Sequence, residues 1–253
     1  MQLTIIIPAH NEEQRLPKML DEYLPFFARA YGADFEVLVV INGSSDQTAV
    51  IAGKYAEKFA QLKYVVETRP IGKGGAIMLG IARAKGDLVG FTDADGSTPP
   101  AAFQKLVERI GRADAIIASR WIRGAQVRPR QPWKRRMASR LFNGMVRLLF
   151  GLRFSDTQCG AKLMKRGAAL RILPELGITR WAFDVDLLFQ LRRAGFQTVE
   201  IPSVWHDVAG SRLKIIRASL EMFAALARLR LLYSPFKNIV AFYDRYFARF
   251  FNA

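Results

Sequence analysis

Two carboxylates one residue apart, Asp93 and Asp95, follow the apolar run Leu88-Val89-Gly90-Phe91 and precede the turn sequence Gly96-Ser97-Thr98-Pro99-Pro100. A strand that breaks there leaves both acids in a loop, where hard oxygen ligands can share a Mg²⁺ or Mn²⁺ with a diphosphate, as a nucleotide-sugar site requires. Asp-x-Asp before Gly-Ser is also ordinary turn chemistry, so the surroundings must decide. A second segment, Gly72-Lys73-Gly74-Gly75, lets an anion approach backbone N–H groups at a helix start, with Lys73 adding charge. It satisfies neither a P-loop nor a dinucleotide fingerprint, which leaves a plain turn as the other reading.

The elements that must position these residues alternate. Apolar runs at Leu3 to Pro8, Phe35 to Ile41, Lys63 to Val66, Leu88 to Thr92 and Ala115 to Ser119 read as strands. Helical spacing fills Glu13 to Tyr31, Thr48 to Phe59 and Gly74 to Ala84. This order predicts an α/β fold with a mainly parallel, doubly wound sheet, whose ligands bind beyond the carboxyl ends of the strands. Those ends carry His10-Asn11-Glu12, Asn42-Gly43-Ser44-Ser45-Asp46, the glycine segment and the Asp93/Asp95 pair.

A chain of 253 residues, 51% hydrophobic and 24% charged, can bury one large core. Its single cysteine, Cys159, excludes an internal disulfide, and two histidines beside one thiol offer no zinc-ligand spacing. The N-terminal run reads as a first strand rather than a signal peptide, an expectation of a cytosolic protein.

The net charge of +16 is concentrated. Ten basic residues and no acid lie between Ala115 and Ser155, and eight basic residues against three acids lie from His206 onward. Both stretches are also amphipathic. From Trp133, Met137, Leu141, Met145, Leu148 and Leu152 form one stripe, with Arg136, Arg140, Asn143 and Arg147 on another side. In the tail, Ile216, Leu220, Phe223, Ala227 and Leu231 line up, as do Arg217, Glu221 and Arg228. Arginines interrupt every run before it reaches the roughly 20 apolar residues of a transmembrane span. Basic amphipathic helices suit the interface of an anionic membrane. A core-facing helix with a solvated basic face is the plainer alternative, and a nucleic-acid patch is another, although no nucleic-acid module is visible.

Four blocks, Ile5-Ile6-Ile7-Pro8-Ala9-His10-Asn11-Glu12-Glu13, Asn42 to Thr48, Gly72 to Ala76 and Asp93 to Pro99, resemble in order the signatures of family 2 glycosyltransferases with the GT-A fold. Ala118-Ser119-Arg120, Asp156-Thr157-Gln158-Cys159-Gly160-Ala161-Lys162-Leu163, Arg180 to Leu188 and Gly210-Ser211-Arg212-Leu213 are similar to the dolichyl-phosphate β-glucosyltransferase branch. The resemblance implies transfer of a sugar, glucose from UDP-glucose first, with UDP-N-acetylglucosamine and GDP-mannose as alternatives, onto a polyprenyl or dolichyl phosphate with inversion. It implies a Mg²⁺ or Mn²⁺ cofactor, an anionic membrane surface as partner and no nucleic acid. The expected place is the cytoplasmic face of a membrane, without a transmembrane helix. A phosphate acceptor is already anionic, so such an enzyme needs positioning and cations more than a strong base.

Carried over residue by residue, Asp93, Asp95 and Ser97 match the metal position. Pro8, His10, Asn11, Glu12, Val40, Asn42, Lys73 and Gly74 match the nucleotide site. Arg120, Arg135, Ser139, Gln158 and Lys162 match the acceptor-phosphate site, Asp184 is a candidate to orient the acceptor, and His206 and Arg212 are candidate diphosphate contacts. Gly160 is expected to meet a backbone demand, and Asp186 to favour a helix N-terminus. Two departures stand out: Asn42 replaces a carboxylate usual in the family, and Arg212 stands where lysine is common. The domain expectation is a catalytic unit over 1–205, including the basic segment 133–152, and a membrane-associating tail over 206–253.

Overall fold

The computed structural model describes residues 1–129, 132–177, 182–206 and 215–235, with Lys134 and residues 215–220 described by backbone alone. Arg212, Arg180, Trp181 and residues 236–253, on which parts of the sequence reading fall, lie outside the described residues.

Chain order is β1 (Leu3–Ala9), α1 (Leu16–Tyr31), β2 (Phe35–Asn42), α2 (Thr48–Lys58), β3 (Leu62–Glu67), α3 (Gly72–Arg83), β4 (Leu88–Phe91), α4 (Pro100–Arg109), β5 (Ala115–Ser119), β6 (Gln126–Arg128) and α5 (Trp133–Phe150). Then come β7 (Lys162–Lys165), α6 (Arg166–Ile172), a 3₁₀ turn (Leu173–Glu175), α7 (Phe183–Arg193), β8 (Thr198–Pro202), β9 (Val204–His206) and α8 (Ile215–Leu232).

Seven of these strands form one sheet in the order β3-β2-β1-β4-β7-β5-β8, and β6 pairs with β9 alongside it. All pairings are parallel except those of β7, which runs antiparallel between β4 and β5. The five strands expected from the sequence are present. The short strand β7 was not expected, because Lys162 to Lys165 begins and ends with lysine and lacks a strand's apolar run. Its reversed direction matters for chemistry: the register pairs Phe91 with Lys162, so the start of β7 lies beside the carboxyl end of β4.

Side chains of β1 alternate between two cores, as a pleated strand dictates. Leu3, Ile5 and Ile7 pack with Tyr23, Phe27 and Phe103 on one face of the sheet. Ile6 packs on the other face with Ile77, Phe91, Val146, Phe183 and Leu226. A sheet covered on both faces keeps its strands apolar throughout, which is why β1 and β2 are buried along their whole length.

Helix α5 turns its Phe142, Val146 and Phe150 to this second core, together with Asn143, which the periodicity had placed on the basic side. Of the stripe legible in the sequence, Met137 (62% exposed), Leu141 (69%) and Leu148 (85%) face outward instead, while Met145 is half-buried against the core. Leu152 is buried beyond the helix end, past the left-handed Gly151. Helix α8 packs against α5 and contributes Leu226 and Leu229 to the core, while Phe223 and Leu231 stay exposed. Its end is fastened by Tyr233, whose hydroxyl donates to Asp186 Oδ1 at 2.6 Å. The described helix within the expected tail over 206–253 thus packs on the second core of the sheet. Buried Asp186 is its anchor, also accepting the Gly177 N–H at 2.8 Å.

Candidate active site

At the carboxyl ends of β1, β2 and β4, a cleft of about 350 Å³ is lined by Pro8, His10, Glu12, Arg15, Asn42, Pro70, Gly72, Lys73, Asp93, Ala94 and Asp95. Adjacent parallel strands end at one edge, and their loops converge there.

Two of the loops are stitched together. Asn11, at a left-handed φ of 54°, accepts the Ser45 N–H at 2.9 Å on Oδ1, and the Glu12 N–H donates to Thr48 Oγ1 at 2.8 Å. Asp46 accepts from the Glu13 N–H, and the Gln47 N–H donates to Glu13. Asn42 is buried, donates from Nδ2 to the Ala9 carbonyl at 3.2 Å, and its own carbonyl lies 2.8 Å from His10 Nδ1. Gly43 at φ 59° is required here, since a Cβ would stand 2.8 Å from Pro70 Cα. Asn11 and Asn42 thus build the cleft, whereas Val40 points into the core and reaches it only through its backbone neighbours.

Charges alternate along the opposite wall. Lys73 Nζ lies 2.5 Å from Asp93 Oδ1. Burial pulls the Lys73 ammonium down, but Asp93 and Asp184 more than offset this and hold its pKa above the ordinary lysine value. Lys162 is buried and donates to Asp184 Oδ1 at 2.5 Å and to the Cys159 carbonyl at 2.7 Å. Burial would raise Asp184, yet Lys162, Lys73 and Arg120 keep it below the usual carboxylate range. On the far side of Asp93, a Cβ at Gly160 would run into the carboxylate. The demand on Gly160 is therefore the closeness of Asp93, not a special φ. Gly74 is similar: a Cβ would stand 2.6 Å from the Phe183 ring, so this glycine lets α3 approach α7. Glu12 is raised by burial, opposed by Arg15, with Asp95 and Asp93 adding to the rise. Burial pushes the Cys159 thiol up to about 12, which removes it as a nucleophile near neutrality.

Asp95 is held by its own turn, the Ser97 N–H donating to Oδ1 at 2.9 Å. Ser97 is buried, and its carbonyl accepts the His206 N–H at 2.8 Å, so β9 braces the Asp95 turn. The next residue back, Trp205, stacks under Arg120, with the guanidinium carbon 5.0 Å from the ring centroid. Arg120 grips buried Asp156 with Nε at 2.7 Å and Nη2 at 2.9 Å. Glu200 in turn accepts the backbone N–H groups of Ser155 and Asp156. Sequence reasoning gave Asp156 and Glu200 no role; Asp156 lay inside a quoted motif, while Glu200 had no local signature.

The matched profile is that of glycosyl transferase family 2, over residues 4–173. The chain belongs to this family. The glycosyltransferase is 34% identical to the human "Dolichyl-phosphate beta-glucosyltransferase", covering 92% of this chain and 76% of that protein. It is 31% identical to the Saccharomyces cerevisiae protein of the same name, covering 91% and 75%. Among solved structures, it resembles glucosyl-3-phosphoglycerate synthase from Mycobacterium tuberculosis in complex with Mn²⁺, UDP-glucose and phosphoglyceric acid (TM-score 0.64, 18% identity, 92% of this chain and 81% of that one). A mannosyltransferase from Pyrobaculum calidifontis in complex with GDP-Man and Mn²⁺ is similar too (TM-score 0.63, 22% identity, 90% and 64%). These likenesses show the GT-A fold.

In the glycosyltransferase, the expected nucleotide and metal residues Pro8, His10, Glu12, Asn42, Lys73, Asp93 and Asp95 all line one cleft. The expected acceptor residues are less united. Lys162 is committed to Asp184 and Arg120 to Asp156, Gln158 is half-buried, and Arg135 and Ser139 sit half-buried one turn apart on α5. His206 is exposed and meets the site through its backbone.

Proposed function

We propose that this glycosyltransferase moves glucose from UDP-glucose to the phosphate of dolichyl or a related polyprenyl phosphate, with inversion, at the cytoplasmic face of a membrane. The observation that carries this reading is the conjunction of a carboxylate-bearing cleft with an adjacent arginine-rich helix whose apolar stripe faces outward. A sugar acceptor that is both anionic and lipid fits that conjunction. The names of the curated relatives support glucose and dolichyl phosphate.

Asp93 and Asp95 fit a divalent cation. Both offer carboxylate oxygens to the cleft, and one Asp95 oxygen is already oriented by Ser97. No group of three or more His, Cys, Asp or Glu side chains suited to a metal exists among the described residues, so diphosphate oxygens and water would complete the coordination. A bound Mg²⁺ or Mn²⁺ would neutralise charge on the departing diphosphate. Lys73 adds a cation at the same wall, and Glu12, Asn42 and His10 shape the nucleotide end. An acceptor phosphate oxygen attacks the anomeric carbon from the face opposite the diphosphate. The C1–O bond to UDP breaks with its electron pair leaving on UDP. No proton must be removed from the nucleophile, so Asp184, kept ionised by Lys162, positions rather than deprotonates.

No helix among the described residues is long and apolar enough to cross a membrane. Exposed Trp133, Met137, Leu141 and Leu148 on α5 and Phe223 and Leu231 on α8 support attachment to one face of the bilayer.

Purified protein with Mg²⁺ or Mn²⁺, dolichyl phosphate and labelled UDP-glucose, UDP-N-acetylglucosamine or GDP-mannose tests the reading. UDP-glucose alone should yield an organic-extractable glycolipid. Absence of product from every donor, or full activity in Asp95→Ala, sinks it.

A further inference from the structure

A knot of polar groups closes the end of α8 against α7. Asp186 is fully buried, its Oδ1 accepting the Tyr233 hydroxyl at 2.6 Å and its Oδ2 the Gly177 N–H at 2.8 Å. Buried Gln190 donates from Nε2 to the Tyr233 oxygen at 2.5 Å and to the Glu175 carbonyl at 3.1 Å. Burial lifts Asp186 above the ordinary carboxylate value, and the Tyr233 hydroxyl, the Gly177 N–H and Gln190 pull it back. Burial and then Asp186 hold the Tyr233 phenol above its own ordinary value, so the hydroxyl keeps its proton and donates. Apolar side chains of the same volume often stabilise a core as well as a buried polar set does, so the contribution of such a network is one fixed arrangement. We propose that Tyr233 is a positioning residue for the transfer reaction: through Asp186 its hydroxyl fixes the first turn of α7 and with it Asp184, a proposal that rests on the role given to Asp184 above.

The two carboxylates share one turn and face different neighbours. Asp184 and Asp186 both lie in the first turn of α7, and residues two apart on a helix stand about 200° from one another. Asp184 Oδ1 meets Lys162 of β7 at 2.5 Å, while Asp186 meets α8. Phe183, one residue before Asp184, packs on Gly74, so closely that a Cβ there would stand 2.6 Å from its ring. The turn is thus seated on α3 by Phe183, on β7 by Lys162 and on α8 by Tyr233. Release of the third contact lets Asp184 shift while Lys73 stays at Asp93. The Tyr233 ring is held separately from its hydroxyl, 5.2 Å from the Phe189 ring and 5.3 Å from the Arg193 guanidinium carbon, so loss of the oxygen alone leaves its packing in place.

Tyr233→Phe in the full chain is the test. With UDP-glucose and dolichyl phosphate, kcat should fall about tenfold or more, within the roughly 100-fold that a displacement near 1 Å costs, while the calorimetric affinity for UDP with Mn²⁺ stays at the wild-type value. Tyr233→Phe/Asp186→Leu removes the buried carboxylate left unpaired and should recover the thermal midpoint lost in the single variant without recovering kcat. In an Asp184→Asn background, Tyr233→Phe should cost no further activity, since both changes act through one carboxylate. An unchanged kcat in Tyr233→Phe, recovery of kcat together with the midpoint, or an equal loss in both backgrounds would overturn the proposal. Wild-type activity in Asp184→Asn alone would overturn it too, by removing the role on which it rests. If no donor yields product, the glucosyl reading fails and hydrogen exchange still decides the positioning: amides in the first turn of α7 should exchange faster in Tyr233→Phe while those of β1 do not, and equal exchange in the two proteins rejects it.

Discussion

Lys73 Nζ and Asp93 Oδ1 stand 2.5 Å apart at the wall of the cleft, joining the glycine-rich start of α3 to the end of β4. The ammonium holds the first carboxylate of the Asp-x-Asp pair in place, while Ser97 holds the second. Two carboxylates near Glu12 would otherwise repel one another, and the rise in the Glu12 pKa reflects that crowding once burial has acted. Lys73→Met should therefore weaken UDP binding about tenfold or more, the scale of a charge-assisted contact. Calorimetry with UDP and Mn²⁺ measures this, and Lys73→Arg should retain more affinity than Lys73→Met. Equal affinity in the methionine variant would exclude a role for Lys73 at the diphosphate.

Gly160 sets the position of Asp93 from the other side. Adding one methyl group forces the Asp93 carboxylate to move. Gly160→Ala should lower kcat about 100-fold, the cost of a displacement near 1 Å at a reacting centre. Its thermal midpoint should shift far less than that of Gly74→Ala, where the methyl meets the Phe183 ring in the core. Activity assays and thermal melts on the two variants separate these effects.

The buried Lys162–Asp184 pair links stability to pH. Asp184 in the folded protein lies below its ordinary value of 3.8. Its contribution is therefore fully present above the unfolded pKa and is lost as pH falls through the lower folded value. Asp184→Asn leaves the Lys162 ammonium buried without its partner and should destabilise by about 3–5 kcal/mol at neutral pH. Its stability should also fall less steeply than that of the wild type on acidification. Urea unfolding between pH 2 and 7, on the order of the carboxylate range, gives both quantities. Lys162→Met/Asp184→Leu should regain stability without regaining activity.

The outward stripe of α5 predicts lipid contact. Leu141→Asp/Leu148→Asp should reduce co-sedimentation with anionic vesicles about tenfold or more, since each inserted leucine is worth about 1.5–3 kcal/mol when fully buried. Neither side chain supports the core, so the thermal midpoint should stay within about 2 °C of the wild type, the range of surface substitutions. Undiminished vesicle binding would remove this face from the membrane reading.

Much of the architecture is local and could be read from the chain. Five strands, the helices between them and the loops at the strand ends follow from apolar runs, periodicity and turn residues, all expressed within a few neighbours. The cleft at the strand ends was legible for the same reason: successive parallel strands end at one edge, so His10, Asn42, Lys73 and Asp95 meet there. The contacts beyond that cleft were not. Arg120 is closed on Asp156, Gly160 yields space to Asp93, and Tyr233 anchors to Asp186. These partners are separated by dozens of residues, and no periodicity encodes which distant side chain will fill a given space.

Helix α5 shows the division most plainly. Its sequence carries an apolar stripe, Met137, Leu141, Met145 and Leu148, and a rival one, Phe142, Val146 and Phe150. Periodicity alone favours neither as the covered face. Packing of α5 on the sheet and α8 buries the second stripe, draws Met145 in beside it and leaves Met137, Leu141 and Leu148 outside. The sequence by itself determined that Asp93 and Asp95 lie in a loop at the end of a parallel strand, since alternation and turn chemistry act locally. The tertiary structure alone decided what each carboxylate touches and which face of α5 is free. Those depend on volume and charge contributed by remote parts of the chain.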